Sequence, residues 1–449
     1  MLLQLAVLLT CIFIGSRMSG IGLGVMGMIG LLIMLFVFGL QPSSPPLEVM
    51  LIIMSVVTAA AALQAAGGMD YLVNVAARIL RSHPGQITIL GPLVTYFFTL
   101  FAGTAHISYS IMPIIAEVAT KARVRPERAL TMSVIASSLA ITASPVSAAT
   151  AALLSILAAS GVKLSAILLV CIPSTLIGLI IGILFVLKRG KELSNDPEFL
   201  EKMKDPEFAK SMEAGEQGET TALKPGAIKS VIIFGLAVLT VVILGSSPSL
   251  LPNFSGKEGF VPNFAVNASG QVQIASMIMM IMLAATGLII LFANTTAAAV
   301  TKASLFSSAG SATIAIFGVV WMSSTFMDNN AAVIESTLGS IVTAYPWSFA
   351  FALFVLSILL FSQAATTKAL IPLGLSLGLS PAYLIGIFPA VNGYFFIPGY
   401  PTLLAAIQFD RTGTTRIGKY VLNHSFMLPG IVTVLATVIA GLILQSFLL

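Results

Sequence analysis

The chain has 449 residues, of which 57% are hydrophobic and only 9% charged, with a mean hydropathy of +1.02. Ordinary soluble domains carry about 25% charged residues, so a soluble enzyme or a nucleic-acid-binding domain is excluded. The formal charge of +5 needs only basic loops on one membrane face, and Cys11 and Cys171, both in apolar stretches, suggest no disulfide framework, metal cluster or cofactor.

Apolar stretches of about 16–22 residues recur along nearly the whole length, the pattern of an all-α polytopic membrane protein. A β-barrel would show shorter, alternating segments. Leu2–Gly15 resembles a signal peptide, yet no positive residue precedes it and Arg17 follows it. That asymmetry predicts a first membrane helix over 2–16 that starts outside and ends at the cytoplasm. Further spans are expected at 19–40, 47–66, 129–158 and 164–187, then at 231–246, 273–293, 304–322, 381–409 and 420–447. Gly22, Gly24 and Gly27 imitate a dinucleotide fingerprint, but no strand precedes them. Glycines at that spacing inside a membrane helix permit close helix packing instead.

Two apolar pairs remain, 86–101 with 107–119 and 347–361 with 368–380. Each arm has roughly 12–16 residues, short of the ~20 needed to cross. They read as re-entrant hairpins over 86–120 and 347–380, a backbone tolerated at membrane depth only when buried in protein or lining a cavity. The tips correspond: FAGTAHISYSIMP at Phe101–Pro113 and FSQAATTKALIP at Phe361–Pro372. Gly103 and Ser362 each stand ten residues before a proline (103 to 113, 362 to 372). A second interruption follows each tip, ASPVS at Ala143–Ser147 and IPGYPT at Ile397–Thr402. More polar, amphipathic segments precede both hairpins, at Gly67–Pro84 and Phe326–Pro346.

Basic residues test the topology. Arg17, Arg78 with Arg81, the runs Lys121–Arg128 and Lys188–Lys191, and the segment Asp410–Lys419 should be cytoplasmic. The segments 41–46 and 247–272 should be outside, with Lys257 as their one basic residue. Ten spans and two hairpins satisfy all of these, with both termini periplasmic. Residues 1–187 and 230–449 then form two inverted repeats, each of five spans and one hairpin, with broken helices at 129–158 and 381–409. Residues 188–229 hold 17 of the chain's 39 charged residues and read as a cytoplasmic linker, either a tether or a regulatory docking segment.

Corresponding interruptions in two halves of a hydrophobic chain mark the binding site of a secondary transporter. At the tips and breaks, helix starts expose unpaired N–H groups and positive dipole ends, which bind carboxylates without a buried full charge. Proline suits the first position of the restarting half-helix, with a nearby hydroxyl as cap. The competing reading, kinks satisfied by backbone bonds, suits one break better than four in register. The pseudo-twofold arrangement suggests a ligand with a carboxylate at each end. Thr104, Ser108, Ser144 and Ser147 would serve one end, and Ser362, Gln363, Thr366 and Thr402 the other, beside Gly103, Ala105, Pro145, Ala364, Thr367, Gly399, Tyr400 and Pro401. His106 is a proton carrier or a plain hydrogen-bond donor, and Lys368 attracts an anion or snorkels. Asn392 is a polar-lining candidate. Arg81, Arg125 and Arg128 line an anion path or simply obey the positive-inside bias. Glu48, Glu117 and Asp410 sit near span ends, so no carboxylate marks the midplane as a dedicated ion pump would.

The strings at Pro398–Gly430, at Ile141–Ala149 (ITASPVSAA), at Arg125–Arg128 (RPER) and at Leu63–Val73 (LQAAGGMDYLV), with FSQAATTKALIP, closely resemble the bacterial anaerobic C4-dicarboxylate transporters of the Dcu family. The likeness runs nearly end to end, is weakest in 188–272, and is strongest to the DcuA branch. It implies an inner-membrane exchanger of aspartate, fumarate, malate and succinate, with aspartate or fumarate taken up against succinate. A distant likeness to the ion-transporter superfamily implies a homodimer of elevator type. The Ser-Asn-Thr motifs of that superfamily's sodium symporters are absent; Gly-Thr-Ala and Ser-Gln-Ala stand at the tips, which leaves the coupling ion open. The alternatives are a cation-coupled symporter, or an exchanger that doubles as co-sensor for a membrane sensor kinase.

Overall fold

In the computed structural model, residues 1–18, 21–213, 223–257, 259–360, 362–420 and 423–449 are described. The middle of the charged linker, Phe361 at the second tip, and short pieces of the predicted spans 19–40 and 420–447 lie outside them. The first half comprises α1 (Leu2–Arg17), α2 (Gly22–Phe36), α3 (Leu47–Ala65), α4 (Gly68–Ser82), α5 (Ile87–Ala102), α6 (Ser108–Lys121), α7 (Pro126–Ala143), α8 (Ala148–Leu157) and α9 (Leu164–Val186). The linker forms α10 (Pro197–Lys202) and α11 (Pro206–Glu213). The second half comprises α12 (Ala227–Ser246), α13 (Ile274–Phe292), α14 (Ala297–Lys302), α15 (Ser304–Ala344), α16 (Trp347–Leu360), α17 (Gln363–Ser376), α18 (Pro381–Ile387), α19 (Pro401–Phe409) and α20 (Met427–Leu448). The protein is all-α and polytopic. Among the described residues six helical stretches are long and apolar enough to cross a membrane, or seven if the bent pair α3–α4 is one span.

Backbone chemistry decides where these elements start and stop. The bend between α3 and α4 is 72° and falls at Gly67, whose φ of +84° is open to glycine and strained for other residues. The α2 glycines serve packing, as their spacing predicts: a Cβ on Gly24 would collide with the Ile314 carbonyl, and one on Gly27 with Gly318 of α15. No nucleotide loop is formed there.

Three expectations need correction. The predicted span 304–322 and amphipathic segment 326–346 are one 41-residue helix, α15. Its polar centre does not break it because the side chains bond back along the helix: Asn329 Nδ2 donates to the Thr325 carbonyl and Asn330 Nδ2 to that of Phe326, both at 2.8 Å. The predicted start of the last span at 420 moves to Met427, and the stretch after α19 opens with residues 410–415 folded around the Asp410 carboxylate. It accepts from the backbone N–H of Thr412 (3.0 Å) and Thr415 (2.6 Å) and from the hydroxyls of Thr412 and Thr414. Finally, the first hairpin's leading arm is longer than expected, because a 3-10 turn at Pro84–Gln86 runs into α5 and makes a 19-residue apolar stretch, Pro84–Ala102.

The linker is docked over its first part rather than slack. Phe199 and Leu193 are buried, and Asp196 caps α10 by accepting from the N–H of Glu198 and Phe199. Arg125 pairs with Asp196 and Glu127, Arg128 with Glu192, and Arg416 with Glu198. Lys202 Nζ donates to the Thr412 carbonyl at 3.2 Å. The segment therefore joins the start of α7 to the loop before α20. Partial burial disfavours the charged form of Asp196, but hydrogen bonds from Phe199 N–H and the Arg125 guanidinium outweigh it and hold the carboxyl below its ordinary range.

Candidate substrate site

The helix interruptions meet at one cavity of about 210 Å³. Its wall is built from five places in the chain: Gly103–His106 with Tyr109, Ile141 with Ala148 and Ala149, Ser362–Ala364, Tyr400–Thr402, and Ile53, Val56 and Val57 of α3. The volume suits a small organic acid, below the roughly 300–1,000 Å³ of sites for drug-sized ligands.

Each interruption is a helix start with its own local solution. At the first tip, Gly103 takes φ +70° at the end of α5. Extended Thr104 then caps a 3-10 turn, its hydroxyl accepting from His106 N–H at 3.3 Å. At the first break Ser147, not Pro145, is the cap: its Oγ accepts from Thr150 N–H at 3.1 Å. Pro145 lies in the preceding turn, so the expectation of proline at the first helical position fails here. It holds at the second break, where Pro401 opens α19. At the second tip the extended Ser362 caps α17, accepting from Ala365 N–H at 3.2 Å. Tyr400 gives α19 no side-chain cap, and the Thr402 hydroxyl is buried without a hydrogen-bond partner.

Of the predicted site residues, Gly103, Thr104, Ala105, His106, Ser362, Gln363, Ala364, Tyr400, Pro401 and Thr402 line the cavity. Ser108, Ser144, Pro145, Ser147, Thr366, Thr367, Lys368, Asn392 and Gly399 do not. Several of these hydroxyls turn onto their own backbone instead. Ser108 donates to the Ala105 carbonyl (2.6 Å), Ser147 to that of Ile141 (2.6 Å), Thr366 to that of Ser362 (2.8 Å) and Thr367 to that of Gln363 (2.7 Å). The Ser144 hydroxyl accepts from Val146 N–H at 3.4 Å. Lys368 Nζ lies 3.0 Å from Ser155 Oγ on α8, tying the second tip's outgoing helix to the first half's broken helix. Arg81, Arg125 and Arg128 are committed to carboxylates, Arg81 to Glu117, and none of the three lines the cavity.

Behind the second tip lies a polar network that the sequence reading only half anticipated. Gln363 Nε2 is 3.0 Å from the Tyr394 hydroxyl and 3.2 Å from Asn392 Oδ1. Asn392 Nδ2 donates to the Pro389 carbonyl at 2.9 Å and lies 3.3 Å from Thr142 Oγ1. Gln363 is thus fixed from the second break, with α7 at the far end of the chain of bonds. Buried, satisfied amides of this kind define one geometry. Tyr394 and Tyr109 were missed. Tyr109 sits in the quoted tip motif, and Tyr394 lies two residues beyond Asn392, so proximity to an interruption was the available signal. Ile53, Val56 and Val57 share a helix face by their i, i+3, i+4 spacing, but nothing in that pattern tells a cavity wall from ordinary packing.

No carboxylate lines the cavity, and no group of three metal-ligating side chains occurs among the described residues. Helix starts, the Thr104, Ser362 and Thr402 hydroxyls and the His106 imidazole supply donors within an otherwise largely apolar wall that carries no negative charge. Such a wall accepts an anion.

An all-α membrane protein whose interrupted helices close around a small donor-lined cavity has the construction of a secondary transporter. The chain belongs to the anaerobic C4-dicarboxylate membrane transporter family, whose description matches residues 1–449. It is 43% identical over 447 residues to the C4-dicarboxylate transporter DcuA of Wolinella succinogenes, covering 99% of both chains. It is 40% identical over 452 residues to the DcuA of Escherichia coli strain K12, covering 100% of both. To the anaerobic C4-dicarboxylate transporter DcuB of an Escherichia coli O6:H1 strain it is 39% identical over 454 residues, with 99% of this chain and 98% of the relative covered. Membership assigns the chain to the transporters rather than the enzymes.

Proposed function

We propose that this chain is a secondary transporter exchanging C4-dicarboxylates across the bacterial inner membrane, taking up aspartate or fumarate in return for succinate, as in the DcuA branch. The observation that carries the reading is the convergence of four helix starts on one cavity free of carboxylates. Its unpartnered Thr402 hydroxyl is a donor waiting for an acceptor. One carboxylate of the substrate is bound at Thr104 and His106, the other at Ser362 and Thr402, with Gln363 bracing the second tip from behind, so the two halves of the chain divide the ligand. His106 donates a hydrogen bond in this scheme.

The topology we favour is two inverted repeats of five spans and one hairpin, with both termini periplasmic and the linker cytoplasmic. The tips and broken helices form the moving unit, and α3, with Ile53, Val56 and Val57 against the cavity, belongs to the scaffold it slides past. A homodimer holds two such scaffolds together. Return of the unloaded unit is disfavoured because the uncapped start of α19, the Thr402 hydroxyl and the N–H groups that the other caps leave open would cross the bilayer unsatisfied, which makes exchange obligatory.

The test is counterflow in proteoliposomes. Efflux of labelled succinate should require external fumarate, malate or aspartate and ignore a sodium or proton gradient. Efflux into dicarboxylate-free buffer, driven by either cation gradient, would establish symport instead. Equal affinity for butyrate and succinate would remove the two-ended site.

A further inference from the structure

We propose that a second cavity, where the docked linker meets the basic face, is a binding site for a phosphate-bearing anion. It measures about 480 Å³ and is lined by Arg125, Glu127, Arg189, Arg416, Lys419 and Asn423 among others, sharing no residue with the substrate cavity. Four cations thus surround it against one carboxylate. Arg125 is neutralised by Glu127 and Asp196, and Arg416 by Glu198. Arg189 and Lys419 have no carboxylate within ion-pair distance among the described residues. Moreover Nη1 of Arg189 is a buried nitrogen with no hydrogen-bond partner.

A buried guanidinium N–H without an acceptor is unfavourable, and a charged acceptor is what relieves it most. The neighbouring polar groups cannot supply one. Ser425 Oγ donates to Glu127 at 2.7 Å. His424 Nδ1 accepts from Phe426 N–H at 3.2 Å, which leaves the proton on Nε2, 3.2 Å from the Phe396 carbonyl. Two unpaired cations of different geometry, a planar fork and a point charge, suit a group with several oxygens and more than one negative charge. The cavity lies between the first turn of α7, the end of α9 and the loop before α20, at helix ends, where basic pockets take lipid headgroup phosphates. Free phosphate and a headgroup phosphate share this chemistry.

The experiment uses the full chain in phosphatidylcholine nanodiscs and follows thermal unfolding. One arm adds inorganic phosphate against chloride at matched ionic strength; a second replaces part of the lipid with phosphatidylglycerol. At least one arm should raise the melting temperature. In the R189Q/K419Q double variant the phosphate requirement should rise roughly tenfold or more, or the lipid shift should vanish, while stabilisation by succinate and counterflow persist. A phosphate response identifies a free anion, and a response to phosphatidylglycerol alone identifies a headgroup. Either supports the site. No shift in either arm, or equal shifts in parent and variant, overturns it, as does a succinate shift that the variant lacks. Should the double variant fail to fold, K419Q, which changes an exposed side chain, should raise the phosphate requirement several-fold on its own, and an unchanged requirement overturns the site.

Discussion

The two tips solve one problem in different ways. The first leaves α5 through a left-handed glycine, Gly103, and spends a 3-10 turn before α6 begins. At the second, the described residues go straight from an extended Ser362 into α17. The breaks differ too, four residues between α7 and α8 against nine between the 3-10 turn at Phe388–Val391 and α19. The longer break carries Asn392 and Tyr394, and these hold the second tip's Gln363 from behind. The first tip rests on backbone conformation, the second on a side-chain network. Mutations should therefore hurt the first through φ and the second through lost hydrogen bonds.

The largest effect is expected at Gly103. Gly103→Val puts a β-branched residue at φ +70° and a Cβ about 3.0 Å from the Val146 carbonyl. A left-handed L-residue costs roughly 1–2 kcal/mol before any clash. Uptake of labelled fumarate should fall to background, whereas Ser362→Gly, which loses one hydroxyl but sets no side chain at a left-handed φ, should weaken succinate affinity by about fivefold, near 1 kcal/mol, and keep measurable uptake. Comparable loss at both positions would erase the distinction between the tips. Next comes Gln363→Leu, which strands Asn392 and Tyr394 in a buried setting. An unsatisfied buried polar group costs about 1–3 kcal/mol, so both the melting temperature and succinate affinity should drop, the latter roughly tenfold or more. Thr402→Val is smaller and more diagnostic. No bond within the protein is lost, so stability should hold or rise slightly while succinate affinity falls by about fivefold, near 1 kcal/mol. Unchanged affinity would remove Thr402 from the ligand.

The smallest effect concerns the linker. Because the Asp196 carboxyl is held below its ordinary value of 3.8, its contribution to docking is complete above that pH. It is lost only as pH falls through the lower, folded-state value. Limited proteolysis of the linker should be flat from pH 8 to about pH 5 and rise only under stronger acid. Asp196→Asn should raise cleavage modestly at neutral pH, and a parent that opens already at pH 6 would contradict the assignment.

Much of this was legible in the chain. Prolines, glycines and hydroxyl residues clustered inside apolar stretches mark points where the backbone leaves the helix, and the structure interrupts its helices there. Hydroxyl roles were less legible. Ser108, Thr366 and Thr367 look identical to Thr104 and Thr402 in sequence, yet they bond their own backbone, because a helical Ser or Thr has a carbonyl three or four residues back within reach. Thr402, in the first turn of α19, did not settle into such a bond. The run Trp321–Phe326 shows the opposite failure: the change from apolar to polar residues reads as the end of one span and the start of a separate segment, yet neither Gly nor Pro stands there and the helix continues.

The sequence by itself determined an all-α membrane chain, its interruptions and its family, since hydropathy, helix-breaking residues and long shared strings are properties of local order. Only the tertiary structure decided that five distant segments share one cavity, that α3 closes it, and that Arg125 and Arg128 serve the linker. Those are contacts between residues tens to hundreds of positions apart, fixed by packing and charge pairing that no local pattern encodes.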